Sequence, residues 1–317
     1  MAALEPRWDQ FAALQDARRG PTPSPSEIIN LMKTTLLASG LGFPEGPVVM
    51  SEGRVVFCDG NTGELLVYTD GSVSTYARTG GSPWGALLGS DGSIYVTQGG
   101  NVPGSGDTSA LSGIQRAHHD GTVELLFSEV AGYPLYGPND LAFGPDGRLW
   151  FTESGSEQDL RFDVRSPGRL FAVGASGAGE MVLELPGVYP NGIAFDAQQR
   201  LYWTESAARR VQRLDDGKPV TFCQLPDDRV PDGMAFAADG RLFVATTISQ
   251  GVTVISPDGA VLDEIHLGEH ATNCVFDGSD LYVTATREAD IEASQRTGTF
   301  WRVETDGTGL ELIPGRL

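Results

Sequence analysis

Four prolines far apart in the chain are each followed by a side chain that ends in oxygen: Pro44-Glu45, Pro138-Asn139, Pro190-Asn191 and Pro231-Asp232. Brought into one small space, two carboxylates need a compensating positive charge, or one of them must hold a proton. Two further copies of the phrase carry Trp84 and Thr272 at this point, so no Lys, Arg or His supplies that charge. A cation does. Oxygen donors without Cys or His favour a hard ion such as calcium, magnesium or manganese. One divalent cation held there can polarise a carbonyl, and a carboxylate beside bound water can take the water's proton, which is the chemistry of ester hydrolysis. Polar residues lining a wet channel are the plainer alternative. No covalent nucleophile is signalled: there is no Gly-x-Ser-x-Gly elbow, and His118, His119, His266 and His270 lack triad spacing.

Convergence of these residues requires a fold that keeps returning the chain to one axis, and an internal repeat provides it. GPNDLAFGPDGRLWFTES from Gly137 reads closely onto YPNGIAFDAQQRLYWTES from Tyr189 and VPDGMAFAADGRLFVATT from Val230. Copies also begin at Phe43, Ser82 and His270, so the phrase recurs six times at intervals of 39 to 55 residues. Each copy holds a Pro turn, a short apolar run, an Asp/Gly-rich turn and a second apolar strand. Asp-Gly between apolar strands is a hairpin signal. Two more strand-like runs follow in most copies, as at 168–173 with 180–185. Four antiparallel strands repeated six times predict an all-β, six-bladed β-propeller. The first strand of a blade is innermost, so the turn entering it opens on the channel. Glu45, Asn139, Asn191 and Asp232 should therefore face one another across one end. The two longest repeats owe their length to the segments Gln98–Gly113 and Gly155–Gly168, which should rise at that same end.

Residues 1–40 stand before the repeats as a short, partly helical extension, and 41–317 form the propeller. Trp8, Phe11 and Leu14 share a helical face. Thr34–Ala38 can supply an outer strand that closes the ring, and Leu310–Pro314 compete for the same place. A net charge of −20 disfavours nucleic acid and anionic membranes as partners. No apolar run reaches the roughly 20 residues of a membrane span, and the first residues lack the pattern of a secretory signal. A cytoplasmic location is the expectation. Cys58, Cys223 and Cys274 are odd in number and widely spaced, which fits buried small hydrophobes rather than disulfides.

The phrases Phe43-Pro44-Glu45-Gly46-Pro47, Pro138-Asn139-Asp140, Pro190-Asn191-Gly192 and Pro231-Asp232-Gly233-Met234 resemble the family of senescence marker protein (regucalcin), gluconolactonases and luciferin-regenerating enzyme. The resemblance runs from about Phe43 to the carboxyl terminus. It implies a metal-dependent hydrolase that opens a small lactone or related ester. It implies Glu45, Asn191 and Asp232 as metal ligands, Asn139 beside the ion on metal or substrate, and Asp232 as general base. Calcium or zinc accompanies such enzymes, and an all-oxygen set puts calcium first. One position departs from the sugar-lactonase pattern, where Arg often stands two residues before the Asn of Pro-Asn-Asp: here it is Gly137. With Trp84 and Tyr136 as substrate-binding candidates, the expected substrate is less polar than an aldonolactone. A phosphotriester or fluorophosphate hydrolase, a binding propeller with a structural cation, and a metal-free condensing propeller are the alternatives; the oxygen ring counts against the last.

Overall fold

Turn chemistry starts the fold. Asp91, Asp146 and Asp239 each accept a hydrogen bond from the amide two residues on. The glycine between them takes a positive φ, 80° at Gly92, 76° at Gly147 and 88° at Gly240, a conformation open to glycine without steric cost. In the fourth repeat Asp196 accepts from the amide of Arg200, and Gln199 takes the left-handed φ of 62° instead.

The computed structural model of the protein describes residues 32–100, 110–155, 167–287 and 297–317. Among them the strands form six four-stranded antiparallel sheets, with one short hairpin, Glu129–Val130 with Tyr133–Pro134. These are the six blades. Their innermost strands are Pro44–Val49, Pro83–Leu88, Pro138–Phe143, Pro190–Phe195, Pro231–Phe236 and His270–Asp277. The second strands Val55–Asp59, Ile94–Gln98, Leu149–Glu153, Leu201–Glu205 and Leu242–Thr246 are buried at every residue. Both faces of such a strand pack on a neighbouring blade, which is why it opens with consecutive apolar residues rather than an alternation, and its polar residues stand at the end nearest the entry turns. Rings cross the seams: Phe57 stacks on Phe300 at 4.9 Å, and Tyr202 meets Phe236 at 5.0 Å. Each buried aromatic contributes roughly 1.5–3 kcal/mol by burial alone.

The ring is closed from the amino-terminal side. Lys33–Leu41 pairs antiparallel with Gly298–Glu304 as outermost strand of the sixth blade, with Leu36 opposite Trp301. The competing segment has a different place. The Leu310 amide donates to the Phe236 carbonyl, the Ser90 amide to the Gly315 carbonyl, and the Leu317 amide to the Tyr95 hydroxyl. The carboxyl-terminal residues thus cross the end of the channel opposite the entry turns, with Ile313 and Leu317 packed against a core that includes Phe143. Above them the channel holds a cavity of about 290 Å³. The helical face of Trp8, Phe11 and Leu14 lies outside the described residues, as does most of 98–113 and 155–168.

Candidate metal centre

Each innermost strand carries a register break at its entry. It falls between Glu45 and Val48, Pro138 and Leu141, Pro190 and Ile193, and Pro231 and Met234. Such bulges release residues from the ladder and re-aim their side chains. Asn139, Asn191 and Asp232, each directly after its proline, fall in the released pair; Glu45 stands at the break itself.

The backbone of this ring is pinned by the preceding blade. Thr97 donates to the Asn139 carbonyl, Thr152 to that of Asn191, and Thr204 to that of Asp232. Two residues on, Ser154 and Ser206 donate to the carbonyls of Pro190 and Pro231 at 2.8 and 2.7 Å. The carboxylate between them also works locally. Glu153 accepts from the amides of Tyr136 and Gly137, fixing the turn that leads to Asn139, and Asp59 does the same for Gly42 and Phe43 ahead of Glu45. These positioning residues were not singled out from sequence, although Thr-Glu-Ser recurs at 152–154 and 204–206.

Glu45, Asn191 and Asp232 are buried, while Asn139 is half-buried. The Asn191 side chain bonds Asp232 and also donates from Nδ2 to Ser206 Oγ at 3.2 Å. Desolvation pushes the Glu45 carboxyl well above the usual range, and the nearby charges of Asp232 and Asp140 push it further. The Asp232 carboxyl is raised for the same reasons, burial first and then Asp140. No basic side chain figures among the groups acting on either.

Asp140 and Asn273 escaped the sequence reading. The layer one residue below the ring is Gly46, Gly85, Asp140, Gly192, Gly233 and Asn273. A Cβ at Gly85 would lie 2.6 Å from the Asn139 carbonyl oxygen, and one at Gly192 2.5 Å from that of Asp232. Four positions admit only glycine, which leaves the axis to two polar side chains. Asp140 accepts from the Leu141 amide at 2.9 Å, and Asn273 bonds both Asp140 and Glu45. Burial raises the Asp140 carboxyl to about 6. The residues-after-proline rule missed this layer; its signal is two polar residues in a column otherwise of glycine.

Among the described residues no three His, Cys, Asp or Glu side chains cluster as metal ligands. The ring's donors are two carboxylates and two carboxamides, an all-oxygen set. Burial and neighbouring carboxylates raise Glu45 and Asp232 with no basic partner to offset them, a donor set that fits a divalent cation. Trp84, at the fifth ring position, is half-buried with its ring edge-on to Phe43 at 5.8 Å. Tyr136 is exposed. Thr272, at the sixth, is buried and turns its hydroxyl to the Pro44 carbonyl.

Residues 43–287 match the SMP-30/Gluconolactonase/LRE-like region model. The chain is 24% identical to a gluconolactonase of Zymomonas mobilis, over 84% of this chain and 81% of that one. It is 32% identical to a 6-deoxy-6-sulfogluconolactonase of Pseudomonas putida, over 47% of this chain and 54% of that one. A regucalcin from Agrobacterium tumefaciens, described as a calcium-binding protein, superposes with a TM-score of 0.73 over 90% of this chain and 98% of its own, at 18% identity.

Proposed function

From a chain that belongs to the SMP-30/gluconolactonase/LRE-like family, we propose a lactonase that depends on one divalent cation, calcium first. The observation that carries this reading is the buried pair Glu45 and Asp232, each raised by burial and by a nearby carboxylate, Asp232 for Glu45 and Asp140 for Asp232, with no basic group to offset them. Glu45, Asn139, Asn191 and Asp232 would hold the ion; bound, it supplies a Lewis acid for the lactone carbonyl and acidity for a water.

The chain's own part is proton handling and orientation. Asp232 takes a proton from the attacking water as the new C–O bond forms. Collapse of the tetrahedral centre breaks the ring C–O bond, and the proton passes to the departing alkoxide. The product is a hydroxy acid, which releases its own proton at neutral pH. Asn191, itself held by Ser206, keeps Asp232 oriented by a direct hydrogen bond, and Asn139, less buried than the other three, can reach the substrate oxygen. A base of raised proton affinity is better matched to neutral pH than an ordinary carboxylate.

Acid release from a simple lactone, followed with and without a chelator, tests the reading. The expected result is turnover that chelation reduces by about 100-fold or more and that added calcium restores. Turnover indifferent to chelation would leave a metal-free hydrolase, and none under either condition would favour a binding propeller.

A further inference from the structure

The end of the channel that carries the ring is unevenly lined. At the second blade the ring position is an indole, and two glycines make room for it. A Cβ at Gly60 would lie 2.6 Å from Trp84 Cζ3, and one at Gly99 would lie 2.4 Å from Nε1. With Phe43 edge-on beside it, the ring is held in one place and keeps part of its surface open. Leu111, between the second and third strands of the second blade, and Tyr136, in the turn entering the third blade, are 62% and 54% exposed. Apolar surface of this kind at a mouth marks a binding face more often than an isolated exposed residue does.

Among the described residues, several arginines at this end are committed to carboxylates. Arg169, Arg210, Arg229 and Arg287, all at this end of their blades, are paired with Glu184, Glu205, Glu264 and Glu269. Nor can position 137, just before the ring at the third blade, carry a side chain. A Cβ at Gly137 would lie 2.6 Å from the Gly155 carbonyl oxygen, a backbone atom. The backbone on this side of Asn139 thus leaves no room for a side chain at position 137, and the ring position of the preceding blade is the half-buried indole of Trp84.

We infer that the preferred lactone bears an apolar alkyl or aryl substituent that lies on Trp84, rather than a chain of hydroxyls. The inference rests on the lactonase reading and specifies its substrate class. A pre-formed aromatic platform binds such a group without ordering cost. A sugar chain placed on the indole would lose its water without gaining partners from that face.

The test compares kcat/KM for δ-nonalactone and δ-gluconolactone, which share a ring size but carry a butyl chain in the one and ring hydroxyls with a hydroxymethyl group in the other. The intact protein is expected to favour the alkyl lactone by about tenfold or more. Trp84→Ala should collapse that ratio toward one, chiefly through KM for the alkyl lactone. Trp84→Phe, which keeps a ring in the slot, should retain most of it, and thermal unfolding of both variants separates binding loss from misfolding. A preference for gluconolactone in the intact protein overturns the inference while leaving the lactonase reading in place, as does a ratio that Trp84→Ala leaves unmoved. Failure to open either lactone removes the lactonase reading and the inference with it.

Discussion

Asp232→Ala is expected to lower lactone turnover by about 10³-fold or more, because it removes the proton acceptor and one charged ligand together. The fold should survive it. What the neighbouring blade grips is the Asp232 backbone carbonyl, through Thr204 at 2.8 Å, and alanine keeps that carbonyl. The lost carboxylate is one that burial and Asp140 already hold in an unfavourable environment, so the cation-free variant should unfold at a temperature no lower than its parent. The check is acid release at saturating lactone beside a thermal melt. Turnover within tenfold of the parent would take Asp232 out of the mechanism, whatever the cation does.

Glu45→Gln should act in opposite directions on the cation-free and cation-loaded protein. Glu45, Asp140 and Asp232 have folded-state proton affinities above their ordinary ones. The folded, cation-free chain therefore binds more protons than the unfolded chain. Its stability from these groups is fully present below about pH 4 and is lost as pH rises through the folded values. For Asp140, raised from 3.8 to about 6, the loss is on the order of 3 kcal/mol. Removing the Glu45 charge relieves part of this penalty, so at neutral pH the cation-free variant should melt higher than its parent. Calcium should reverse the order. Affinity in an oxygen cage follows ligand charge, and loss of one of two carboxylates should weaken binding by about 100-fold or more. At a calcium concentration that stabilises the parent by about 4 kcal/mol, the variant should gain little. Melting curves across pH and calcium read both halves. Equal calcium stabilisation in both proteins would show that Glu45 is not a ligand.

The blades were legible because each repeat carries its own turn chemistry, with Asp146-Gly147 and its counterparts closing the first hairpin from local interactions alone. The ring was legible because its position changes residue type inside a phrase that otherwise repeats. What stayed hidden depends on contacts between blades. Thr97, Thr152 and Thr204 donate to main-chain carbonyls of the next blade, and a carbonyl has no signature in the sequence. The layer of Asp140 and Asn273 is visible only once Gly46, Gly85, Gly192 and Gly233 are seen stacked beside them. The closing strand was undecided for a similar reason. Lys33–Leu41 pairs through its backbone, and backbone pairing accepts many sequences; the rival segment instead spends its apolar residues Leu310 and Ile313 on the cores beneath the channel. Trp84 could be read as a core cap or a channel residue; it is packed by Phe43 and two glycines and stays half-buried.

The most direct measurement is diffraction from crystals grown with calcium, recorded at a wavelength where calcium scatters anomalously. One anomalous peak is predicted on the propeller axis, with side-chain oxygens of Glu45, Asn139, Asn191 and Asp232 at about 2.3–2.6 Å from it. A calcium-loaded, active protein whose peak lies away from these four residues, or whose Glu45 and Asp232 share a proton with no ion between them, would contradict it.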